Sequence, residues 1–482
     1  MRGLRWICLL LIWNFSAMKG QERLTRVWGG ESDDQALSVI STQAGETVLA
    51  GFTFSEGKGR SDIWVRKLDE KGEELWEKTF GDDRFDWVHE VIETRDGNYV
   101  LAGFSRDEGK GLSQAWVFQL NRHGEVMWSE RYGGDYQDEA RSVIQTRDGG
   151  FAVAGLTHSY AVGKSDAWLL RLNAVGQLQW QQNYGGAHTE QAYTLAETDD
   201  EGFVLGGYFA RKDSFKADML LIRTDRKGEG QWRRILRNKG NDVLERVRIS
   251  PEGAIYAAGW GYNPRSRSLD GKLFKFSAGG KIIWEQNFGE GGKDCFYDLL
   301  LTPKGTGQLT LVGQTSRKDH TAAVWLLQTD MDGRMQWQHH TEGGGRHWGH
   351  SVSMGPNGGY QIAGGWEAVD RNSEVLWLQT DKRGFFAEGP LQTTVVPEAA
   401  LARADTFLTP EDRFKPRLFM LAVGISDFED SRVELEFAHT DAAAVAARFR
   451  TLRGSLYGDV KTRVLQNSKA TLREIISVEI VR

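Results

Sequence analysis

Six carboxylate residues recur at a spacing of 52 residues in the first two thirds of the chain. They are Asp34, Asp86, Asp138, Glu190, Asp242 and Asp294. A ring of six carboxylates supplies the hard oxygen ligands that cations such as Ca²⁺ bind. Alternatively, each carboxylate accepts hydrogen bonds from a turn in its own repeat or in the next one. Because the residue is present in nearly every repeat, we favour the hydrogen-bonding role and assign no metal site.

Cys295 is the one cysteine outside the N-terminal segment, and Cys8 is the other in the chain. A catalytic thiol needs a neighbouring base that generates the thiolate. Cys295 follows Asp294 at a repeat position that Glu139 occupies elsewhere, and no histidine is paired with it in the sequence. We therefore interpret Cys295 as structural, and we predict no catalytic, cofactor-binding or metal-binding residues and no cofactor.

The same spacing governs the tryptophans, which indicates an internal repeat. Seven copies fill residues 24–390, and the glycines follow the same register with small shifts at Gly313 and Gly365. Recurring residues of these two types are Trp76, Trp128, Trp180, Trp232, Trp284 and Trp337, with Gly51, Gly103, Gly155, Gly207 and Gly259. We expect the tryptophans to pack between repeats and the glycines to let neighbouring backbones approach closely.

Each copy contains four short apolar segments separated by turn residues. In the third copy they span residues 140–146, 151–157, 167–173 and 177–184, with Asp148-Gly149-Gly150 between the first two. Short segments bounded by Asp-Gly and Gly-Gly are typical of antiparallel strands in a meander. Four strands in a unit of about 50 residues predict one blade of a β-propeller.

The two ends of the array predict a closed ring of seven blades. The seventh copy lacks its fourth, tryptophan-containing strand, whereas residues 24–28 resemble such a strand and are followed by Gly29-Gly30. An N-terminal strand that completes the last blade removes an exposed sheet edge. The predicted fold is mainly β: a seven-bladed β-propeller over residues 24–390, closed by the strand 24–28.

Composition and the N-terminus bound the compartment and the partners. The 482 residues carry a net charge of -6, which provides no basic field for nucleic acid. Arg2 and Arg5 precede an apolar run to Trp13 and then small residues to Gly20. This pattern is typical of a signal peptide over residues 1–20, and the run is too short to span a membrane. We expect an exported chain, periplasmic or extracellular, without a transmembrane segment.

Partners are expected at the longer loops of the propeller, because binding residues concentrate on loops held by a rigid scaffold. These loops span residues 55–61, 105–113 and 159–166, and their partner is expected to be a protein or a glycan. The pattern Asp69, Gly72, Trp76 resembles the tryptophan-docking repeat of quinoprotein dehydrogenases. That resemblance implies blade architecture. A quinone-dependent oxidoreductase would need the adjacent cysteines of that family, which this sequence lacks.

A different pattern follows the propeller. Residues 391–416 contain three prolines and no repeat register, which predicts a linker. The apolar run 418–425 predicts a buried parallel strand, 441–452 an amphipathic helix, 460–465 a second strand, and the sequence from Thr471 a second helix. This order predicts the beginning of an α/β domain over residues 417–482.

The motifs of this segment, Leu421-Ala422-Val423-Gly424-Ile425-Ser426, Leu435 to Ala442 and Ala470-Thr471, resemble the opening of a caspase-like (metacaspase and orthocaspase) catalytic domain. The resemblance covers residues 416–476, and Ser426, Asp427 and Asp441 match the early part of the family. The family's catalytic Ser-Gly-His-Gly and Asp-x-Cys motifs have no counterpart in the sequence, and His439 is not assigned a catalytic role.

Two functions follow from these observations. The first is an exported propeller that serves as a binding or scaffold module and carries the start of a caspase-like domain, inactive as a peptidase because the His/Cys pair is absent. The alternative is a caspase-like cysteine endopeptidase in the intact gene product, with the propeller recruiting substrate or regulating activity. We expect no peptide hydrolysis by the 482-residue chain.

Overall fold

The computed structural model of the protein describes residues 23–107, 112–212, 216–289, 291–302, 307–316, 321–368, 372–387, 417–424 and 459–466. Its described residues contain strands and turns but no helix. They belong to two units, residues 1–394 and 395–482, which are described separately.

The first unit consists of seven four-stranded antiparallel sheets, one for each predicted blade. The strands of the first four blades follow β1 (Leu24–Trp28) and are β2 (Asp34–Ser41), β3 (Thr47–Thr53), β4 (Asp62–Leu68), β5 (Glu74–Phe80); β6 (Phe85–Glu93), β7 (Tyr99–Asp107), β8 (Leu112–Leu120), β9 (Val126–Tyr132); β10 (Asp138–Gln145), β11 (Phe151–Thr157), β12 (Asp166–Leu172), β13 (Leu178–Tyr184); and β14 (Thr189–Glu197), β15 (Phe203–Ala210), β16 (Ala217–Thr224), β17 (Gly230–Leu236). The predicted strands of the third copy are confirmed within two residues.

The last three blades have the same meander order. Their strands are β18 (Asp242–Ile249), β19 (Ile255–Asn263), β20 (Ser268–Phe276), β21 (Ile282–Phe288); β22 (Cys295–Leu301), β23 (Gln308–Ser316), β24 (Ala322–Asp330), β25 (Met335–His340); and β26 (Arg346–Met354), β27 (Tyr360–Glu367), β28 (Ser373–Gln379). The first strands of successive blades contact one another around the ring, and β2 contacts β26. The predicted seven-bladed propeller is confirmed.

The ring is closed by the N-terminal strand. β1 pairs antiparallel with β28, with Leu24 opposite Gln379 and Trp28 opposite Val375, and it forms the fourth strand of the sheet that contains β26 and β27. Two segments separated by about the whole propeller in sequence therefore share one blade. The seventh blade thereby has four strands, like the others.

The recurring tryptophans pack against the next blade, as expected. A Cβ atom added to Gly124 would lie 3.2 Å from the Trp76 ring, and one added to Gly228 would lie 2.7 Å from the Trp180 ring. Both glycines have positive φ angles, +73° and +80°. A side chain at these turns would be strained and would also displace the indole. We call this contact, between a fourth-strand tryptophan and a turn glycine of the following blade, the outer docking contact.

The second unit contains two described strands, β29 (Arg417–Gly424) and β30 (Asp459–Gln466), which pair in parallel. Both strands lie where the sequence predicts them, and the parallel pairing agrees with the predicted strand type. The predicted helices at 441–452 and from Thr471 lie outside the described residues. A caspase-like α/β domain is therefore not shown, and the confirmed fold class is the propeller.

Candidate ligand-binding site in the central channel

One bulge recurs in the first strand of every blade. In β2 the pairing with β3 shifts between Ala36 and Ser38, so that Leu37 is the extra residue. The same shift occurs in β6, β10, β14, β18, β22 and β26. A bulged residue leaves the regular ladder, which re-aims its side chain.

Glycines on the second strand make these bulges possible. A Cβ atom added to Gly51 would lie 1.8 Å from the Gln35 carbonyl oxygen, and one added to Gly155 would lie 1.9 Å from that of Glu139. The expected close approach of backbones is therefore observed. In the seventh blade the glycine at this position is Gly364 and not Gly365, which the sequence register predicted. A Cβ atom added to Gly364 would lie 1.8 Å from the Trp348 carbonyl oxygen, whereas one added to Gly365 would meet the Trp348 ring. The bulge at His350 fixes this register.

The seven bulged residues converge on one cavity of about 420 Å³. We call them the channel ring: Leu37, His89, Arg141, Tyr193, Glu245, Tyr297 and His350. Because each comes from the first strand of a different blade, the cavity lies at the centre of the propeller. Gln35, Phe52, Trp87 and Arg246 complete its lining.

Arg246 joins opposite sides of the channel. Its Nη1 lies 2.5 Å from Glu90 Oε1, three blades earlier, and its Nε lies 2.7 Å from Asp298 Oδ1 on the next blade. Burial opposes the charge of Arg246, but the Asp298 and Glu90 carboxylates raise its pKa. Burial likewise opposes ionisation of Asp298, yet Arg246 and Arg248 hold the pKa of Asp298 below its ordinary value. The Arg246 guanidinium is therefore protonated, and the carboxylates of Glu90 and Asp298 balance its positive charge.

The two carboxylates of this network also join neighbouring blades. Glu90 accepts hydrogen bonds from Ser142 Oγ at 2.6 Å and from the Val143 backbone N–H at 2.8 Å. Asp298 accepts corresponding bonds from Ser351 and Val352, at 3.1 and 3.0 Å. Since hydrogen bonds to charged groups are stronger than neutral ones, these contacts fix the blades around the cavity.

One wall of the cavity is aromatic. The rings of Phe52 and Trp87 stack with their centroids 4.1 Å apart and an angle of 9° between their planes. The Trp87 indole N–H donates to Ser61 Oγ at 2.9 Å. The indole is thereby held in one orientation and presents a rigid apolar surface.

The two histidines of the ring are neutral at neutral pH. Burial, with a smaller contribution from Arg141 and then His350, lowers the pKa of His89 well below its ordinary value. Burial lowers the pKa of His350 to about 4. Nε2 of His89 is buried and has no hydrogen-bond partner within the described part of the chain. The histidines therefore contribute polar atoms to the cavity but no charge.

Arg141 is the basic residue of the channel ring, and Glu245 is its acidic residue. Arg141 Nη2 lies 2.7 Å from Glu139 Oε2, while its Nε is buried without a hydrogen-bond partner among the described residues. Glu245 Oε1 accepts the Trp260 indole N–H at 2.8 Å. Burial raises the pKa of Glu245 to about 7, against smaller opposing effects of that hydrogen bond, Arg141 and Arg246. Both groups face a half-buried cavity with part of their bonding capacity unused.

The recurring carboxylates that the sequence singled out do not line this cavity. Asp34 accepts hydrogen bonds from the Gly30 N–H at 2.9 Å and from Ser55 Oγ at 2.7 Å. Asp138 binds the Gly134 N–H in the same way, at 2.9 Å. These bonds agree with the predicted role in turns. The described ranges contain no group of three or more His, Cys, Asp or Glu residues that could hold a metal ion.

Cys295 lies in β22, and its side chain is fully buried. Burial raises the pKa of its thiol to about 12, so the thiolate is not populated at neutral pH. This environment agrees with a structural role. His439, Ser426, Asp427 and Asp441 lie outside the described residues.

The predicted binding loop 55–61 follows β3 and the loop 159–166 follows β11, so both connect the second and third strands of a blade. In the loop predicted at 105–113, residues 105–107 and 112–113 instead belong to β7 and β8. The cavity lining, however, comes from strands and contains no residue of the loops 55–61, 105–113 or 159–166. Sequence reasoning missed the channel ring, although six of its seven members, all except His350, lie three residues after a recurring carboxylate.

The fold and this site define a seven-bladed β-propeller with a polar and aromatic central cavity. No family model matches the sequence, and no curated protein matches it. Several solved structures are similar. Sqt1 from Chaetomium thermophilum shares 13% identity, with 77% of this chain and 87% of that chain covered and a TM-score of 0.42. The corresponding values for the Pan2 WD40 domain of Neurospora crassa are 12%, 75%, 98% and 0.44.

A third similar structure is the β-propeller domain of the Trilobed protease from Pyrococcus furiosus, with 10% identity, 72% of this chain and 94% of that chain covered, and a TM-score of 0.42. At this level of identity the likeness gives no information on ligand or activity. Among the described residues, no helix combines the length and apolar character needed to cross a membrane.

Proposed function

We propose that this propeller is a binding module whose ligand occupies the central cavity. The observation that carries the proposal is the channel ring itself: seven equivalent backbone positions present five side-chain types around one cavity, namely Leu, His, Arg, Tyr, Glu, Tyr and His. Ligand sites typically combine a mostly apolar wall with a few convergent polar groups in a cavity of roughly 300–1,000 Å³.

Within the repeat, the backbone at the bulge is constant, whereas the side chain on the bulge varies. The glycine opposite each bulge keeps the same backbone geometry in all seven blades. A residue needed only for that geometry would be the same in each blade, as the glycine is. The side chain at the bulge instead differs, so its chemistry serves something in the cavity and not the fold of the blade.

The test is a search for ligands by thermal unfolding of the full chain, followed by calorimetric titration. A ligand that binds only the folded state raises Tm by an amount that grows with the logarithm of its concentration divided by its Kd. We expect this rise to be lost in Tyr297→Ala and Arg141→Ala, and to be retained in Gln179→Ala, a change of an exposed residue on the outer strand β13. Tm shifts that survive all ring substitutions would show that binding occurs elsewhere.

The proposal extends to the compartment and to the second unit. We propose that the module is exported, on the support of the charged and apolar pattern of residues 1–20, and that a protein or glycan partner binds at the propeller loops. We also propose that residues 417–482 form a caspase-like segment. Export is tested by fusing residues 1–20 to a reporter enzyme that is active only outside the cytoplasm, with Leu9→Arg as the control that disables an apolar signal.

A further inference from the structure

Two opposite charges on the channel ring, Arg141 and Glu245, lie on either side of Tyr193 and face the same cavity. We propose that the cavity binds a zwitterion, namely a free α-amino acid with an aromatic or apolar side chain. In this arrangement the ligand carboxylate binds Arg141 and the ligand ammonium binds Glu245. This inference rests on the proposed function and specifies the class of ligand.

The anionic half of the ligand is inferred from Arg141. Its guanidinium stands 5.2 Å from the centre of the Tyr193 ring, and Glu139 occupies only the Nη2 side. The buried Nε lacks an acceptor within the described part of the chain. A buried donor without a partner is costly, and a guanidinium binds a carboxylate with two parallel hydrogen bonds. A ligand carboxylate in the cavity would bind the accessible part of the Arg141 guanidinium, which lines the cavity.

The cationic half is inferred from Glu245. Among the described residues its carboxylate has no salt bridge, and the Trp260 indole N–H donates a hydrogen bond to it at 2.8 Å. The nearby arginine Arg246 is already neutralised by Glu90 and Asp298. Tyr193 and Tyr297 flank Glu245 on the ring, and aromatic faces favour an organic cation. An ammonium beside Glu245 would form the salt bridge that neither Arg141 nor Arg246 makes with this carboxylate in the described part of the chain.

The side chain of the ligand is inferred from the remaining wall. Leu37, Phe52 and Trp87 form an apolar surface on the other side of the cavity, and the two aromatic rings are stacked and held by Ser61. The neutral histidines add no charge that would repel either end of a zwitterion. A volume of about 420 Å³ accommodates a single amino acid with a large side chain.

The experiment is calorimetric titration of the full chain at pH 8 with L-tryptophan, N-acetyl-L-tryptophan and tryptamine. N-acetyl-L-tryptophan has no ammonium, and tryptamine has no carboxylate. We expect L-tryptophan to bind. The affinity of each analogue should be lower by about tenfold or more, because each lacks one charge-assisted hydrogen-bonding group. Equal affinity for all three compounds would overturn the proposal.

Two variants assign each charge to its residue. Glu245→Gln keeps an oxygen for the Trp260 N–H, and it should reduce L-tryptophan affinity to that of the N-acetyl compound while leaving the N-acetyl compound unchanged. Arg141→Met should reduce L-tryptophan affinity to that of tryptamine and leave tryptamine unchanged. Gln179→Ala should alter none of these affinities. Loss of all binding in both variants, while both still unfold cooperatively and no less stably than the wild type, would contradict the separate roles.

The two proposals fail in different ways. If none of the three compounds binds, but another small molecule raises Tm and Tyr297→Ala abolishes that rise, the zwitterion is wrong and the binding cavity stands. If no compound of any charge class binds, and substitutions of the ring leave all Tm shifts unchanged, the binding cavity is wrong as well.

Discussion

The outer docking contact and the channel ring are built from the same repeat but differ in what they repeat. At the docking contact the residue type is constant: Trp76 meets Gly124 and Trp180 meets Gly228, with the same left-handed glycine. At the channel ring the backbone is constant and the side chain varies, from Leu37 to Arg141 to Glu245. Constancy of a side chain marks a contact that each blade needs for its fold.

Variation at a constant backbone position marks a site that the fold tolerates in many forms. The bulge and its glycine are present in every blade, whereas the residue on the bulge is free to change. Substitutions should therefore separate into two groups. Those that affect the scaffold lower stability, and those that affect only the ring side chains change binding.

The largest effect is expected for Arg246→Met, which removes the arginine shared by Glu90 and Asp298 and leaves Asp298 with Arg248 alone, at 3.5 Å. Removing one partner of a buried ion pair costs about 3–5 kcal/mol. In the wild type the pKa of Asp298 is held low, so its stabilisation is present above its unfolded pKa and lost as pH falls through the folded one. The difference in free energy of unfolding between the wild type and Arg246→Met, measured with urea, should therefore narrow below about pH 4.

The control for this change is Arg246→Lys, which keeps the charge but not the two-sided geometry of the guanidinium. We expect it to unfold at an intermediate urea concentration. If Arg246→Met matched the wild type in stability, the network would be a feature of the cavity and not of the scaffold.

The second effect tests the glycine that permits the bulge. Gly155→Ala places a Cβ atom 1.9 Å from the Glu139 carbonyl oxygen, so the two strands must separate. We expect a loss of about 3 kcal/mol in the free energy of unfolding. Gly186→Ala is the matched control, because a Cβ atom there meets nothing within 4 Å. Equal stability of the two variants would show that the bulge does not depend on glycine.

The third effect concerns the outer docking contact. Trp180→Ala removes a half-buried ring that packs on Gly228 and, 6.3 Å between ring centres, on Phe203. We expect a loss of about 2 kcal/mol, less than for a fully buried tryptophan, measured by urea unfolding. Gln179→Ala on the same strand should change the free energy by less than about 0.5 kcal/mol. An equally small effect for Trp180→Ala would remove the distinction between the two regions.

The sequence predicted the repeated part of the molecule well because repetition multiplies a weak local signal. One tryptophan or one Asp-Gly turn says little, but the spacing from Trp76 to Trp284 defines the blades and their number. The missing fourth strand likewise pointed to residues 24–28, which pair with β28. The recurring carboxylates, such as Asp34, were found for the same reason, and they proved to bind turns.

The channel ring was not predicted because its residues share no type. Leu37, His89 and Arg141 have the same spacing as the tryptophans, but nothing in their chemistry reveals a common position. The bulge also shifts the alternation of inward and outward side chains by one residue, so a regular strand pattern assigns these residues to the wrong face. The contact of Arg246 with Glu90 depends on closure of the ring and has no local signal.

The fourth effect is a gain in stability from a ring residue. The pKa of Glu245 is raised from 4.5 to about 7 in the folded protein, mainly by burial. The protonated carboxyl therefore contributes stability, which is fully present below the pKa of the unfolded chain. This contribution is lost as pH rises through the pKa of the folded protein. Glu245→Gln has no such loss, so we expect it to exceed the wild type by about 1–2 kcal/mol at pH 8 and to match it at pH 4. The same difference in free energy of unfolding between variant and wild type at pH 4 and at pH 8 would contradict this.

The smallest effect on stability is expected for Tyr193→Phe, and it separates the two regions most cleanly. The Tyr193 hydroxyl makes only a long hydrogen bond to Gln191 Oε1, 3.5 Å, while its ring stays against Tyr208 and the Arg141 guanidinium. Removing the hydroxyl should change the free energy of unfolding by less than about 0.5 kcal/mol. Because Tyr193 lines the cavity and stands between Arg141 and Glu245 in the order of the channel ring, the same change should weaken binding of a cavity ligand in calorimetric titration. A loss of stability without a loss of affinity would place Tyr193 with the scaffold, together with the docked tryptophans.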